Sequence, residues 1–106
     1  IMNITTGQTV YELVRSFNPT TNNPVTPASF SSVVYSDGAI NTGTTVTASL
    51  TDASEGIYTM SWSASTLGTY QINIENTTTS VVYVSEIYMV KTEAEVSGSA
   101  IVYVGV

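Results

Sequence analysis

The chain has 106 residues, with two basic against eight acidic side chains for a net charge of −6, and it contains no cysteine and no histidine. That length suits one domain that buries roughly 65% of the surface its unfolded chain exposes, with no need of a disulfide or metal staple. Two cations are too few to neutralise a phosphate backbone or to hold an anionic bilayer surface, so neither nucleic acid nor membrane is an expected partner.

Only 9% of the residues are charged, well under the usual quarter. Surface hydration therefore falls to Ser, Thr and Asn, a habit of extracellular and virion surfaces. No apolar run reaches the ~18 residues that a membrane-spanning helix needs. No window repeats apolar residues at helical spacing, while β-branched residues and Tyr dominate. The expected class is all-β.

In chain order, the first expected strand is "TVYELVRSF", from Thr9 to Phe17. The Pro- and Asn-rich "NPTTNNPVTP" reads as a loop, because Pro cannot donate to a central ladder. "FSSVVYS" from Phe30 is the second strand, closed by the turn pair Asp37-Gly38. Thr44 to Leu50 is the third, with Val46, Ala48 and Leu50 on one face. After the turn "TDASEG", alternation puts Tyr58, Met60 and Trp62 on one face, and after "SASTLG" it does the same for Tyr70, Ile72 and Ile74. "VVYVSEIYMV" reads as one long strand whose outward face holds Val82, Val84, Glu86 and Tyr88. "KTEAEVSGS" reads as a loop, and "AIVYVGV" as the closing strand. Runs of this length and spacing predict an antiparallel β-sandwich of 7–8 strands, with an up-and-down barrel as the competitor.

The segment "DASEGIYTMSWSASTLGTYQINI" carries Gly-x-Tyr twice, each time opening an alternating run. Its pattern of Asp52, Gly56, Tyr58, Trp62, Gly68, Tyr70 and Ile74 resembles the filamin-type immunoglobulin-like repeat, and the related modules of bacterial surface proteins and phage tail or capsid proteins. The resemblance implies an immunoglobulin-like sandwich over residues 1–95; residues 96–106 lie beyond what one such repeat needs and are expected to form an added C-terminal strand. It also implies a sheet edge, at Thr44–Leu50, of the kind to which filamin-type repeats add a partner peptide.

Catalytic chemistry finds little to work with. A nucleophile needs a positioned base, and a Ser–Lys pair would rest on Lys91 alone. Glu93 and Glu95 could pair their carboxylates only on an extended segment, and they read as a solvated charge run. Asp52, Glu55 and Asp37 are too few for calcium, which wants six to eight oxygens, and an Asp bonding its own turn is the simpler reading. Asn3 and Asn76 match the glycosylation pattern in a chain where so much Thr makes chance matches common. Catalytic residues, cofactors and metals are therefore expected to be absent.

The apolar character of the last strand is unusual for a chain end. It either pairs within its own sheet or lies on a neighbouring subunit, and both arrangements stay open at this point. The expected interface is Ala100, Ile101, Val102, Tyr103 and Val104, joined by Val82, Val84 and Tyr88. The expected function is that of a non-catalytic virion structural protein, a capsid decoration or tail or fibre module, meeting copies of itself or other virion proteins in an oligomer or lattice. The alternative is an adhesive or ligand-binding module at a cell surface. A carbohydrate-binding accessory domain is a third, weakened because Trp62 belongs to the expected core.

Overall fold

A computed structural model describes residues 2–91 and 100–105, the last six for their backbone. Among these residues there is no helix, and ten strands run in the order β1 (Met2–Thr5), β2 (Thr9–Arg15), β3 (Phe30–Ser36), β4 (Ala39–Asn41), β5 (Thr47–Asp52), β6 (Ile57–Ser63), β7 (Gly68–Asn76), β8 (Val81–Val84), β9 (Tyr88–Lys91) and β10 (Ala100–Gly105). The larger sheet has the order β1-β9-β7-β3-β4, with β8 also on β7, and the smaller has the order β10-β2-β6-β5.

The alternation read from the sequence is what builds the core. Val10 and Val14 of β2 and Tyr58, Met60 and Trp62 of β6 face Ile4, Val34, Tyr70, Ile72, Ile74, Tyr88 and Val90 of the larger sheet, all in one buried cluster. The two sheets thus close on each other in a sandwich-like arrangement. Trp62 sits at the seam, stacked 5.9 Å from Tyr70 and edge-on 5.1 Å from Tyr88. Burying aromatic rings of this size contributes roughly 2–3 kcal/mol each, with a further increment for offset and edge-to-face geometry.

Both glycines of the repeated phrase take backbone conformations that a side chain would obstruct, Gly56 in the turn before β6 and Gly68 as the first residue of β7. Gly56 has φ 70°, and a Cβ there would stand 2.5 Å from the Ser16 carbonyl oxygen. Gly68 has φ 133°, and a Cβ would meet the Asp37 carboxylate at 2.7 Å. That carboxylate accepts from both the amide and the hydroxyl of Thr69, each at 2.9 Å, and so joins the end of β3 to the start of β7.

Four expectations need correction. There are ten strands where seven to eight were expected, because "MNIT" and "AIN" form the short strands β1 and β4 and the long apolar run divides. The pairing is not wholly antiparallel: β1 lies parallel to β9 and β10 parallel to β2. The strand expected from Thr44 starts at Thr47, since Val46 packs against the core from the loop before it. "VVYVSEIYMV" is two strands, with Ser85–Ile87 between them. Asn73 faces Val84, so continued pairing would set Tyr70 against Ile87, whereas Tyr70 faces Tyr88. One extra residue in the break reverses the faces beyond it.

Candidate functional site

That reversal decides which apolar residues are presented to solvent. Val82 and Val84 precede the break and are 57% and 51% exposed, while Tyr88 follows it and is fully buried. Tyr88 is therefore withdrawn from the expected interface: it faces the core. The break itself is held by Ser85, whose amide donates to the Ile72 carbonyl at 2.8 Å and whose hydroxyl accepts from the Ile72 amide at 2.9 Å. The Gln71 side chain donates to the Ser85 carbonyl at 3.0 Å.

The outer face of the larger sheet is built in rows by the strand registers. Val33 of β3 and Val84 of β8 flank Asn73 of β7. Ser31 and Val82 flank Glu75 in the next row, and Ile40, Tyr35 and Gln71 stand in line in the row on the other side. Val33 and Ile40 are exposed, as the two valines of β8 are. The face thus mixes exposed aliphatics with neutral amides and one carboxylate. Exposed aliphatics gathered on one face of a folded chain mark a contact region more often than the same residues scattered over the surface do.

A second feature lies at the opposite margin. Ala48 and Leu50 stand opposite the buried Met60 and Tyr58, on the inner side of the smaller sheet, yet both are exposed. An open cleft of about 320 Å³ lies along β3, β4 and the segment before β5, with Val33, Val34, Ile40, Asn41, Thr44 and Val46 in its lining. All of β5 is exposed.

The other sequence candidates occupy ordinary structural positions. The Asp52 carboxylate accepts from the Ser54 hydroxyl at 2.7 Å and from the Ser54 and Glu55 amides, so it closes its own turn. These bonds, Ser54 foremost, hold its pKa below the ordinary value, and those from Thr69 do the same for Asp37. Among the described residues no three His, Cys, Asp or Glu side chains group to hold a metal ion. Asn76 is fully buried, donates to the Ser16 hydroxyl at 2.8 Å and accepts from the Thr78 and Thr79 amides, so it is closed to glycosylation, whereas Asn3 is exposed. Trp62 lies in the core as expected. Glu93 and Glu95 lie outside the described residues, as do the side chains of Ala100, Ile101, Val102, Tyr103 and Val104, whose backbone follows β2 of the same chain from Val10 to Val14.

Sequence reading passed over Glu12. It is fully buried on the inner side of β2 between Val10 and Val14. Its shared parity with those two valines was the available signal. The competing parity, Thr9, Tyr11, Leu13 and Arg15, is mixed enough to have left the inward face ambiguous.

No protein-family model matches the chain, and no curated protein matches it.

Proposed function

We propose that this chain is a non-catalytic immunoglobulin-like module that works by assembly, as a capsid decoration, tail or fibre module of a virion does. The strand order supports the immunoglobulin-like part: β2, β6 and β5 follow the order of strands B, E and D, and β3, β7 and β9 that of C, F and G, with β10 in the place of strand A. So does Tyr70 near the start of β7, whose hydroxyl donates back to the Thr66 carbonyl at 3.3 Å, in the manner of the tyrosine corner of such sandwiches.

The observation that carries the assembly reading is the outer face of the larger sheet, with Val33, Val82, Val84 and Ile40 exposed in adjoining rows. A surface this poor in charge offers a neighbouring subunit little electrostatic desolvation to overcome. The C-terminal strand gives a second route, since the edge of β2 accepts a strand whether it comes from the same chain or a neighbour. Light scattering over a concentration series tests the reading, with growth in particle mass expected. A strict monomer, unchanged in stability by deletion of residues 100–106, would remove both routes.

One observation favours the alternative of an adhesive or ligand-binding module at a cell surface. The β5 edge, exposed along its whole length, is suited to an added peptide strand. Hits on a peptide or glycan array from a protein that stays monomeric would favour that reading over assembly.

A further inference from the structure

A carboxyl group at the centre of an apolar core needs a reason. Glu12 is 0% exposed, and its Oε1 accepts a hydrogen bond of 2.7 Å from the Tyr88 hydroxyl. This bond crosses from the smaller sheet to the larger. Among the described residues its Oε2 has no hydrogen-bond partner, and neither has Nε1 of Trp62, whose ring lies against that of Tyr88.

The position of the bond matters as much as its burial. Glu12 is on β2, which carries the parallel edge strand β10, and Val102 stands opposite it in register. Tyr88 is on β9, which carries the parallel edge strand β1, and Met2 stands opposite it. The bond therefore joins the two strands on which the first and last strands of the fold rest. Parallel pairs hold slightly less well per residue than antiparallel ones, so these edges depend more on the strands beneath them.

We infer that Glu12 is a proton-bearing latch between the sheets: neutral, it lets β2 and β9 close over it with β10 and β1 resting upon them, and ionised, its buried charge opposes that closure by more than the bond from Tyr88 offsets. The neutral acid suits the site better than the carboxylate, because one oxygen accepts from Tyr88 and the other leaves only an unpaired hydroxyl, not an unpaired charge. The carboxylate fits poorly, because a buried charge with an unsatisfied oxygen is among the costliest groups a core can hold. The surrounding groups agree. Burial raises the pKa of Glu12 above the ordinary 4.5, the Tyr88 hydroxyl works against that rise, and the charge of Glu86 adds to it. Tyr83 on β8 is pushed up to about 12, mainly by its own burial. On β6 the residue opposite Glu12 is Met60, which carries no charge. The tyrosines Tyr58 and Tyr70 of the same core have hydroxyls committed to Ala28 and Thr66.

The direction of the pH effect follows. Above pH 4.5 the unfolded chain has released this proton while the folded chain keeps it. Folding then binds a proton, and stability falls as pH rises. The folding equilibrium constant should drop about tenfold per pH unit from the ordinary glutamate pKa up to the folded-state one, and level off above it. Asp37 and Asp52, with lowered pKa values, act in a separate window, losing their contribution as pH falls below 3.8.

The test is urea unfolding across this range for the wild type and for Glu12→Gln, which copies the neutral acid. The wild type should show the fall and the variant should not. Parallel profiles would overturn the inference. Carbon-13 NMR of the Glu12 carboxyl in the wild type needs no variant, and titration at or below 4.5 would also overturn it. Tyr88→Phe removes the hydroxyl that favours the charged form, so it should move the Glu12 titration upward; a downward move would contradict the latch geometry. Amide exchange, compared with Glu12→Gln at each pH, should show β1 and β10 losing protection ahead of β3 and β7. Uniform loss across all four strands would overturn the edge-release part.

Discussion

The two faces of the larger sheet are made from similar residues and do different work. Ile72 and Ile74 point inward from β7 and are fully buried, while Val33 and Val84 point outward beside Asn73 and stay exposed. Both faces are aliphatic, and what separates them is the cover supplied by the smaller sheet, with Trp62 and Met60 at its centre. Apolar character alone therefore does not tell a core face from a contact face. Burial of the first stabilises the fold, and the second is available to a neighbour.

Substitutions graded from the first face to the second can break or sharpen this contrast. The largest effect is expected from Ile72→Ala, which opens a cavity where the sheets meet and should destabilise by about 3–4 kcal/mol in chemical denaturation. Gly56→Ala comes next. It combines a backbone at φ 70° with a Cβ 2.5 Å from the Ser16 carbonyl, and a cost of about 2–3 kcal/mol is expected from strain of this kind. A change of under about 0.5 kcal/mol would show that the turn relaxes freely.

Tyr58→Phe is a finer probe. The Tyr58 hydroxyl accepts from the Ala28 amide at 2.7 Å, across thirty residues, and anchors the loop before β3. Its loss should cost about 1 kcal/mol, with increased amide exchange at Ala28. At the other end of the scale, Val82→Asp with Val84→Asp should shift stability by no more than about 0.5 kcal/mol each. A larger loss would mean that β8 belongs to the core and that the two faces are not functionally distinct.

Much of the inner face was legible in the sequence, because strict alternation in "IYTMSW" and "TYQINI" leaves only one parity fully apolar. The two Gly-x-Tyr phrases announced their strand starts for a related reason: each glycine stands at the entry to a strand, Gly56 just before β6 and Gly68 opening β7, with a backbone that glycine tolerates. The outer face was legible only up to the break. Val82 and Val84 keep their expected exposure, but one extra residue at Ser85–Ile87 turned Tyr88 inward, and periodicity carried across that point picks the wrong side. The parallel edges could not be read at all. Nothing local in "MNIT" specifies that its partner lies beyond residue 87, since a parallel pair is fixed by the whole topology between its strands. Glu12 escaped because a charged residue is ordinarily assigned to solvent, and its fit here depends on a hydroxyl 76 positions away.

The claim that the outer face of the larger sheet is a contact between copies of the chain is tested most directly by sedimentation velocity, comparing the wild type with the Val82→Asp, Val84→Asp variant over a wide concentration range. The account predicts a wild type that sediments increasingly fast as concentration rises, and a folded variant that stays at the 11.2 kDa of one chain. A wild type that remains a monomer throughout, or a variant that assembles as the wild type does, would contradict it.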